Sequence, residues 1–278
     1  MAIAEKGLMV IDAVSTGKSV ATKSKGRKAS LMNLEILSLA QVGLAPGGFS
    51  MTYIVIIGVS MLASFLISGT LKRRFNEYSQ IPIRMTGAQI AEAMLRQHGI
   101  NDVQVICTPG HLTDHYDPTK KTVNLSESVY SVNSVAAAAV AAHECGHAVQ
   151  HQQAYHWLGL RSKLVPAVEF SSKMLNWLMI IGILGIGVAH SPMMLWAWVV
   201  LFGVTTVFSV VTLPVEFDAS RRALAWMESS GVAASMEHDK AKNALFWAAM
   251  TYFAAAVGSI AQLAYFLMMA LGGRRNEN

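Results

Sequence analysis

Three long stretches of this chain carry no charged side chain, and the sequence between them has the mixed patterning of a folded globular segment. Residues 51–71, 174–215 and 243–273 contain no Asp, Glu, Lys or Arg. A helix needs about 20 apolar residues to cross the hydrocarbon core of a bilayer. The first stretch fits one span. The second is about twice as long and is interrupted by His190-Ser191-Pro192, which reads as a tight turn between two spans. The third provides one tilted or over-long span. The pattern predicts four transmembrane helices: one over 51–71, a hairpin of two over 174–213, and a fourth over 243–273.

Residues 72–173 read as a soluble insertion on one membrane face. Thr86 caps a predicted helix running to about His98, with Ile90, Ala91, Met94 and Leu95 on one face and Gly99 as the stop. Residues 103–107 (VQVIC) and 122–126 (TVNLS) read as short strands, separated by the turn-rich GHLTDHYDPTKK. From Ser134 the chain becomes VAAAAVAAHECGHAVQHQQAY. Alanine is the strongest helix former, so this is one long helix. Pro214 can open a further helix at its first turn, over 214–242.

Composition agrees with the membrane reading. Hydrophobic residues make up 53% of the chain and charged ones only 14%, against roughly 25% charged in soluble domains. The mean hydropathy is +0.39. The lipid bilayer is therefore a partner. The net charge of +5 is scattered, without an aromatic-interleaved basic stripe, so no nucleic acid is expected. Two cysteines, Cys107 and Cys145, exclude a disulfide framework. Residues 1–48 include a basic low-complexity run (STGKSVATKSKGRKAS) and are expected to form a disordered or processed tail.

The candidate chemistry lies in the alanine-rich helix. His143-Glu144-Cys145-Gly146-His147 is H-E-x-x-H. Residues i and i+4 share one helix face, about 6 Å apart along the axis, so two imidazoles there can grip one zinc ion. Glu144 is rotated by about 100° from His143, which lets it reach the attacking water rather than the metal. Cys145 faces another side and is assigned to packing.

A hydrolytic zinc site uses three protein ligands. His151 fails on geometry, because it lies about 12 Å from His143 along a straight helix. His156 and His151 are assigned to the surface or to support. The best third ligand is Glu216 in LPVEFDASRRAL. Two crossings lie between the soluble insertion and Glu216, which returns it to the face that carries His143 and His147. Glu169 ranks a distant second.

Taken together, LTDHYDPTKKTVNLSESVYSVNSVAAAAVAAHECGHAVQH and LPVEFDASRRAL resemble the YugP-like family of bacterial membrane zinc metallopeptidases over about residues 53–271. The layout is more remotely similar to the HtpX-like membrane proteases. The resemblance implies a mainly α fold: a four-helix transmembrane protein with a zincin-like α+β metallopeptidase core on one membrane face. It implies one Zn2+ per chain on His143, His147 and Glu216, with Glu144 as catalytic base and a polypeptide as substrate. It also implies that Val123, Asn124 and Leu125 form an edge strand that holds substrate by strand addition. In the HtpX-like pattern the third ligand begins E-x-x-x-D, whose Asp orients a zinc histidine. Here position 220 is Ser, so Asp218, or Asp114, His115 and Asp117 of the D-H-Y-D-P segment, are the supporting candidates. Arg221 or Arg222 is a candidate for oxyanion stabilisation or for anchoring the third span at the membrane surface. Cys107 with His111 is a weak second metal site.

Basic residues cluster on the site's face: Lys72, Arg73, Arg74, Arg161, Lys163, Lys173, Arg221, Arg222, Lys240 and Lys242. The other face has Arg274, Arg275 and the distant Lys23, Lys25, Arg27 and Lys28. The positive-inside rule then points the site to the cytoplasm of a bacterial inner membrane. Oligomerisation is compatible with the sequence and not required by it. Two rivals from other classes are a catalytically inactive zinc-binding scaffold or adaptor, and a transporter. The transporter would need ionisable residues inside the spans, and only His190, at a turn, qualifies.

Overall fold

The computed structural model describes residues 51–110, 112–183, 192–233 and 235–272. The expected tail over 1–48, the turn at His190-Ser191, His111, Arg274 and Arg275 lie outside the described residues. The chain is mainly helical, with a small sheet. In order the elements are α1 (Met51–Tyr78), α2 (Gly87–Gln97), β1 (Gln104–Thr108), β2 (His115–Asp117), β3 (Thr122–Ser126), α3 (Glu127–Tyr130), α4 (Val135–Gln152), α5 (His156–Ile183), α6 (Pro192–Ser229) and α7 (Ser235–Gly272).

The chain divides into two compact units. The first holds Leu66–Leu160 and Thr212–Thr251, and its axis is α4. Every residue of α4 from Val135 to Gln150 except His143 is buried. A helix buried all round needs small side chains if neighbours are to pack on every side, and six of its first eight residues are alanine. Ser134 caps it, its hydroxyl accepting from Ala137 N–H at 3.2 Å. On one side lies α2, opened by Thr86 and Gln89 in a reciprocal capping box. Its Ile90, Ala91, Met94 and Leu95 join the core built on α4. Gly99 takes a φ of +69° where α2 stops, a conformation that suits glycine. Trp226 of α6 donates from Nε1 to Gln97 Oε1 at 2.7 Å, tying α6 to the end of α2.

The sheet has the order β1-β3-β2, with β1 parallel and β2 antiparallel to β3. This corrects two expectations. The strand over 122–126 is central, so Val123, Asn124 and Leu125 are not an edge: Val123 pairs with Val105 on one side and Tyr116 on the other. All five residues of β3 are buried. The segment that reads as an uninterrupted turn contains β2, three residues long, which occupies the side the edge reading left open.

The second unit holds, among the described residues, 51–65, Arg161–Val211 and 252–272. Its interior is aromatic. The Tyr53 and Tyr265 rings stack at 4.9 Å, and Phe202 stacks on Phe266 at 5.4 Å. Small polar residues allow close helix approach, as where Thr206 Oγ1 of α6 donates to Ser259 O of α7 at 3.3 Å. Large apolar side chains face outward, among them Leu62, Phe65, Trp177 and Val200.

Among the described residues, three helices are long and apolar enough to cross a membrane: Met51–Tyr78, Met193–Ser229 and Ser235–Gly272. Helix bounds differ from the sequence reading at Pro214. Pro214 does not open a new helix but lies inside α6, so the expected third span and the helix bearing Glu216 are one element. Likewise α5 begins at His156 and continues through Pro166. A proline deletes one N–H from the ladder. Breaking a helix in apolar surroundings would leave several backbone groups without partners, which costs more.

Candidate metal centre

Two helices build the site. On α4, His143 and His147 project from one face with ring centroids 4.9 Å apart. On α6, Glu216 comes to meet them, with Oε2 3.3 Å from His143 Nε2 and 3.8 Å from His147 Nε2. One ligand atom from each of the three lies within 4.8 Å of the others, the only such group of three found among the described residues. Glu216 is 3% exposed, and the two histidine side chains are 13% and 11% exposed. Glu169 sits half-buried on α5 and is not part of the group.

Gly146 explains the close approach. A Cβ at that position would lie 2.6 Å from the main-chain oxygen of Ala219. The absence of a side chain lets α6 pass directly over α4, one helical turn from Glu216. The motif thus supplies the crossing as well as the two imidazoles.

Each histidine has a partner behind it. Gln150 Oε1 lies 3.0 Å from His147 Nδ1, and Ser220 Oγ lies 3.2 Å from His143 Nδ1. Ser220 therefore stands where the related pattern has an aspartate and touches the histidine itself. Asp218 acts at one remove: its Oδ2 accepts from Gln150 Nε2 at 2.9 Å, while Gln150 Nε2 also donates to Val215 O at 2.8 Å. Arg222 Nε donates to Asp218 Oδ2 at 2.5 Å, and Arg221 binds Asp218 Oδ1. The Arg221 guanidinium is committed to Asp218, and its side chain is 77% exposed. Arg222 bridges to Gln153 Oε1 at 2.6 Å and lies over the Tyr155 ring.

Glu144 is buried and held from β2, where Tyr116 N–H donates to its Oε2 at 3.0 Å. The Tyr116 hydroxyl pairs with His151 Nδ1 at 2.9 Å. Burial, with Asp102 and Asp117 nearby, pushes that phenol up to about 12. His151 is exposed and takes no ligand position, and His156 is exposed as well. Cys145 is packed against α2, its Sγ 3.6 Å from Ala91 O, while Cys107 is exposed.

The D-H-Y-D-P segment does not orient a zinc-binding histidine in the way expected. Asp114 Oδ1 accepts from Ser126 N–H at 2.7 Å and Oδ2 from Ser126 Oγ at 3.1 Å. It braces the end of β3, and burial raises its carboxyl above the ordinary range. His115 Nδ1 turns to Thr113 O at 2.7 Å. Asp117 Oδ1 caps the following turn, accepting from Thr119 and Lys120 N–H. What the segment contributes to the site is the main chain of Tyr116.

Four contributors escaped the motif reading: Gln150, Ser220, Tyr116 and Gly146. Gln150 carried a usable signal, since a residue three positions after His147 shares its helix face.

Comparison with known proteins agrees with this geometry. Residues 53–271 match a family described as "Putative neutral zinc metallopeptidase". The chain is 40% identical over 227 residues to a Bacillus subtilis (strain 168) protein named "Putative membrane protease YugP", covering 81% of this chain and 97% of the relative. No solved structure matches it.

Proposed function

The chain belongs to the neutral zinc metallopeptidase family, and from that premise we propose that it is a membrane-embedded zinc endopeptidase acting on membrane or membrane-proximal polypeptides. In this reading His143, His147 and Glu216 hold one zinc ion and Glu144 is the general base. The observation that carries it is the convergence of two imidazole Nε2 atoms on one buried carboxylate oxygen, 3.3 and 3.8 Å away. Ligands at about 2.05 Å from a tetrahedral zinc stand about 3.3 Å from one another. Two neutral nitrogens and one carboxylate are also a donor set suited to zinc in an open hydrolytic site.

Zinc bound there would polarise the scissile carbonyl and make water acidic enough to yield a proton near neutral pH. The rest of the chemistry falls to the chain. Glu144 takes the proton from the attacking water and delivers it to the leaving amine nitrogen. Tyr116 N–H fixes the plane of that carboxylate, so Glu144 does not swing between productive and idle rotamers. Small, buried residues around α4 keep bulk water out of the crossing.

The chain is a membrane protein. We place the residues 174–183 of α5 at the start of a further span, giving four, and the site on the cytoplasmic face. The uncharged stretch over 174–215 and the basic residues flanking the spans support both.

The test uses full-length protein in detergent. Wild type and Glu144→Gln should each bind one zinc, and the variant should cleave an unfolded membrane-protein substrate about 10²–10⁴-fold more slowly. Equal cleavage by both, or a wild type that binds no zinc, refutes the peptidase reading. Zinc binding without cleavage by wild type would favour a scaffold.

A further inference from the structure

Gln150 is completely buried, one turn beyond His147 on α4. Its amide nitrogen lies 2.8 Å from Val215 O and 2.9 Å from Asp218 Oδ2, and its amide oxygen lies 3.0 Å from His147 Nδ1. A primary amide offers two N–H donors and one accepting oxygen. Both groups on the nitrogen side only accept: a main-chain carbonyl, and a carboxylate ion-paired to Arg221 and Arg222. Turning the amide over would set its oxygen against both of them. The amide's orientation is therefore dictated by its partners. Its oxygen faces Nδ1, and that oxygen can only accept.

We propose that Gln150 is a positioning residue that locks His147 as the Nδ1–H tautomer, turning the Nε2 lone pair toward the metal position. The use of that lone pair rests on the metallopeptidase reading; the tautomer does not. The same atom, Nε2, is the one 3.8 Å from Glu216 Oε2. An Nε2–H tautomer would instead present a proton where a ligand is needed. Ser220 serves His143 differently, because a hydroxyl can donate or accept and so dictates neither tautomer. The chain behind Gln150 is anchored back to α4: Asp218 is held by Arg222, and Arg222 reaches Gln153. Gln150 thus connects a ligand histidine to the helix that brings the third ligand.

The tautomer is readable without zinc. Full-length protein labelled with [15N]histidine is stripped of metal in detergent, and ring nitrogen shifts are recorded, with His147 identified by its loss in His147→Gln. Wild type should show a protonated Nδ1 and a bare Nε2. Gln150→Met, which fills the volume without an acceptor, should lose that tautomer. It should also weaken zinc binding about 10–100-fold in chelator competition. A neutral His147 that carries its proton at Nε2 in wild type overturns the proposal, and so does an unchanged tautomer in Gln150→Met. A folded Gln150→Met that binds zinc as tightly as wild type overturns it too, assigning Gln150 to packing. The wild-type spectrum decides even if a variant fails to fold. A wild type with Nδ1–H that binds no zinc would refute the peptidase reading and leave this assignment standing.

Discussion

Replacing Gly146 with alanine adds one methyl group at the point where α6 crosses α4. The added Cβ would sit 2.6 Å from Ala219 O and 3.1 Å from Ala219 C and Cα. Contacts under 3.0 Å are essentially never adopted and ordinary contact begins at 3.4 Å, so the helices must separate by about 0.4–0.8 Å. The clash is with main chain on a helix, so no side-chain rotation relieves it. Glu216 is one turn from Ala219 and moves with it. If α6 backs straight away, the 3.3 and 3.8 Å spans to the histidines lengthen to about 3.7–4.1 and 4.2–4.6 Å. Overpacking of this kind costs about 1–3 kcal/mol. If the displaced ligand carries most of that cost, zinc affinity falls about 5–150-fold, at 1.4 kcal/mol per tenfold. The assay is competition for zinc between metal-free protein and a chromophoric chelator, with thermal unfolding alongside. Gly159→Ala is the control, because nothing lies within 4 Å of a Cβ there. It should leave affinity unchanged and stability equal or slightly higher. A Gly146→Ala protein that binds zinc within about twofold of wild type would refute the crossing argument.

Other expectations follow from single contacts. Glu216→Gln keeps the shape but removes the anionic ligand, and should abolish stoichiometric zinc binding while leaving helix content unchanged by circular dichroism; retained zinc would point to a different third ligand. Asp114→Asn keeps an oxygen for Ser126 N–H, turns the second bond round so that Nδ2 donates to Ser126 Oγ, and deletes a carboxyl that burial raises above its ordinary value. The native state holds that proton more tightly than the unfolded chain, so wild type loses stability relative to the variant as pH rises from the ordinary aspartate value through the raised one. The opposite trend in melting temperature would exclude this. Thr86→Ala removes the capping box of α2 and should cost about 1 kcal/mol, seen as faster hydrogen exchange in the first turn of α2.

The part of the site carried on one helix is legible in the sequence, because helical spacing alone puts His143 and His147 on one face. Glu216 is legible by a coarser argument, the parity of membrane crossings, which fixes a side without fixing a distance. Contacts between elements are where reading stops. TVNLS has the right residues for a strand, but its place in the sheet depends on β2, which is too short to show alternation. Ser220 reads as the loss of an aspartate, although a hydroxyl reaches the same histidine nitrogen. Gln150 belongs to no motif, and its role appears only once Val215 and Asp218 are beside it. Pro214 is misleading for a physical reason: the rule that places proline at helix starts reflects helices in water, where a broken end finds new partners.

Five residues of α6, 216–220, carry the carboxylate that meets both histidines, a partner for one histidine and the support behind the partner of the other. During synthesis they emerge 69 residues after His147. At about 5–20 residues per second that interval is about 3–14 s. Until α6 docks, the half on α4 has two imidazoles without their third ligand, and His147 without the carboxylate that supports its orienting amide. The docking of α6 on α4 therefore brings together the carboxylate and both supports for the histidines. A ribosome-bound chain passes through this interval with no complete centre, and the three side chains can meet only after the helix that carries Glu216 has been made.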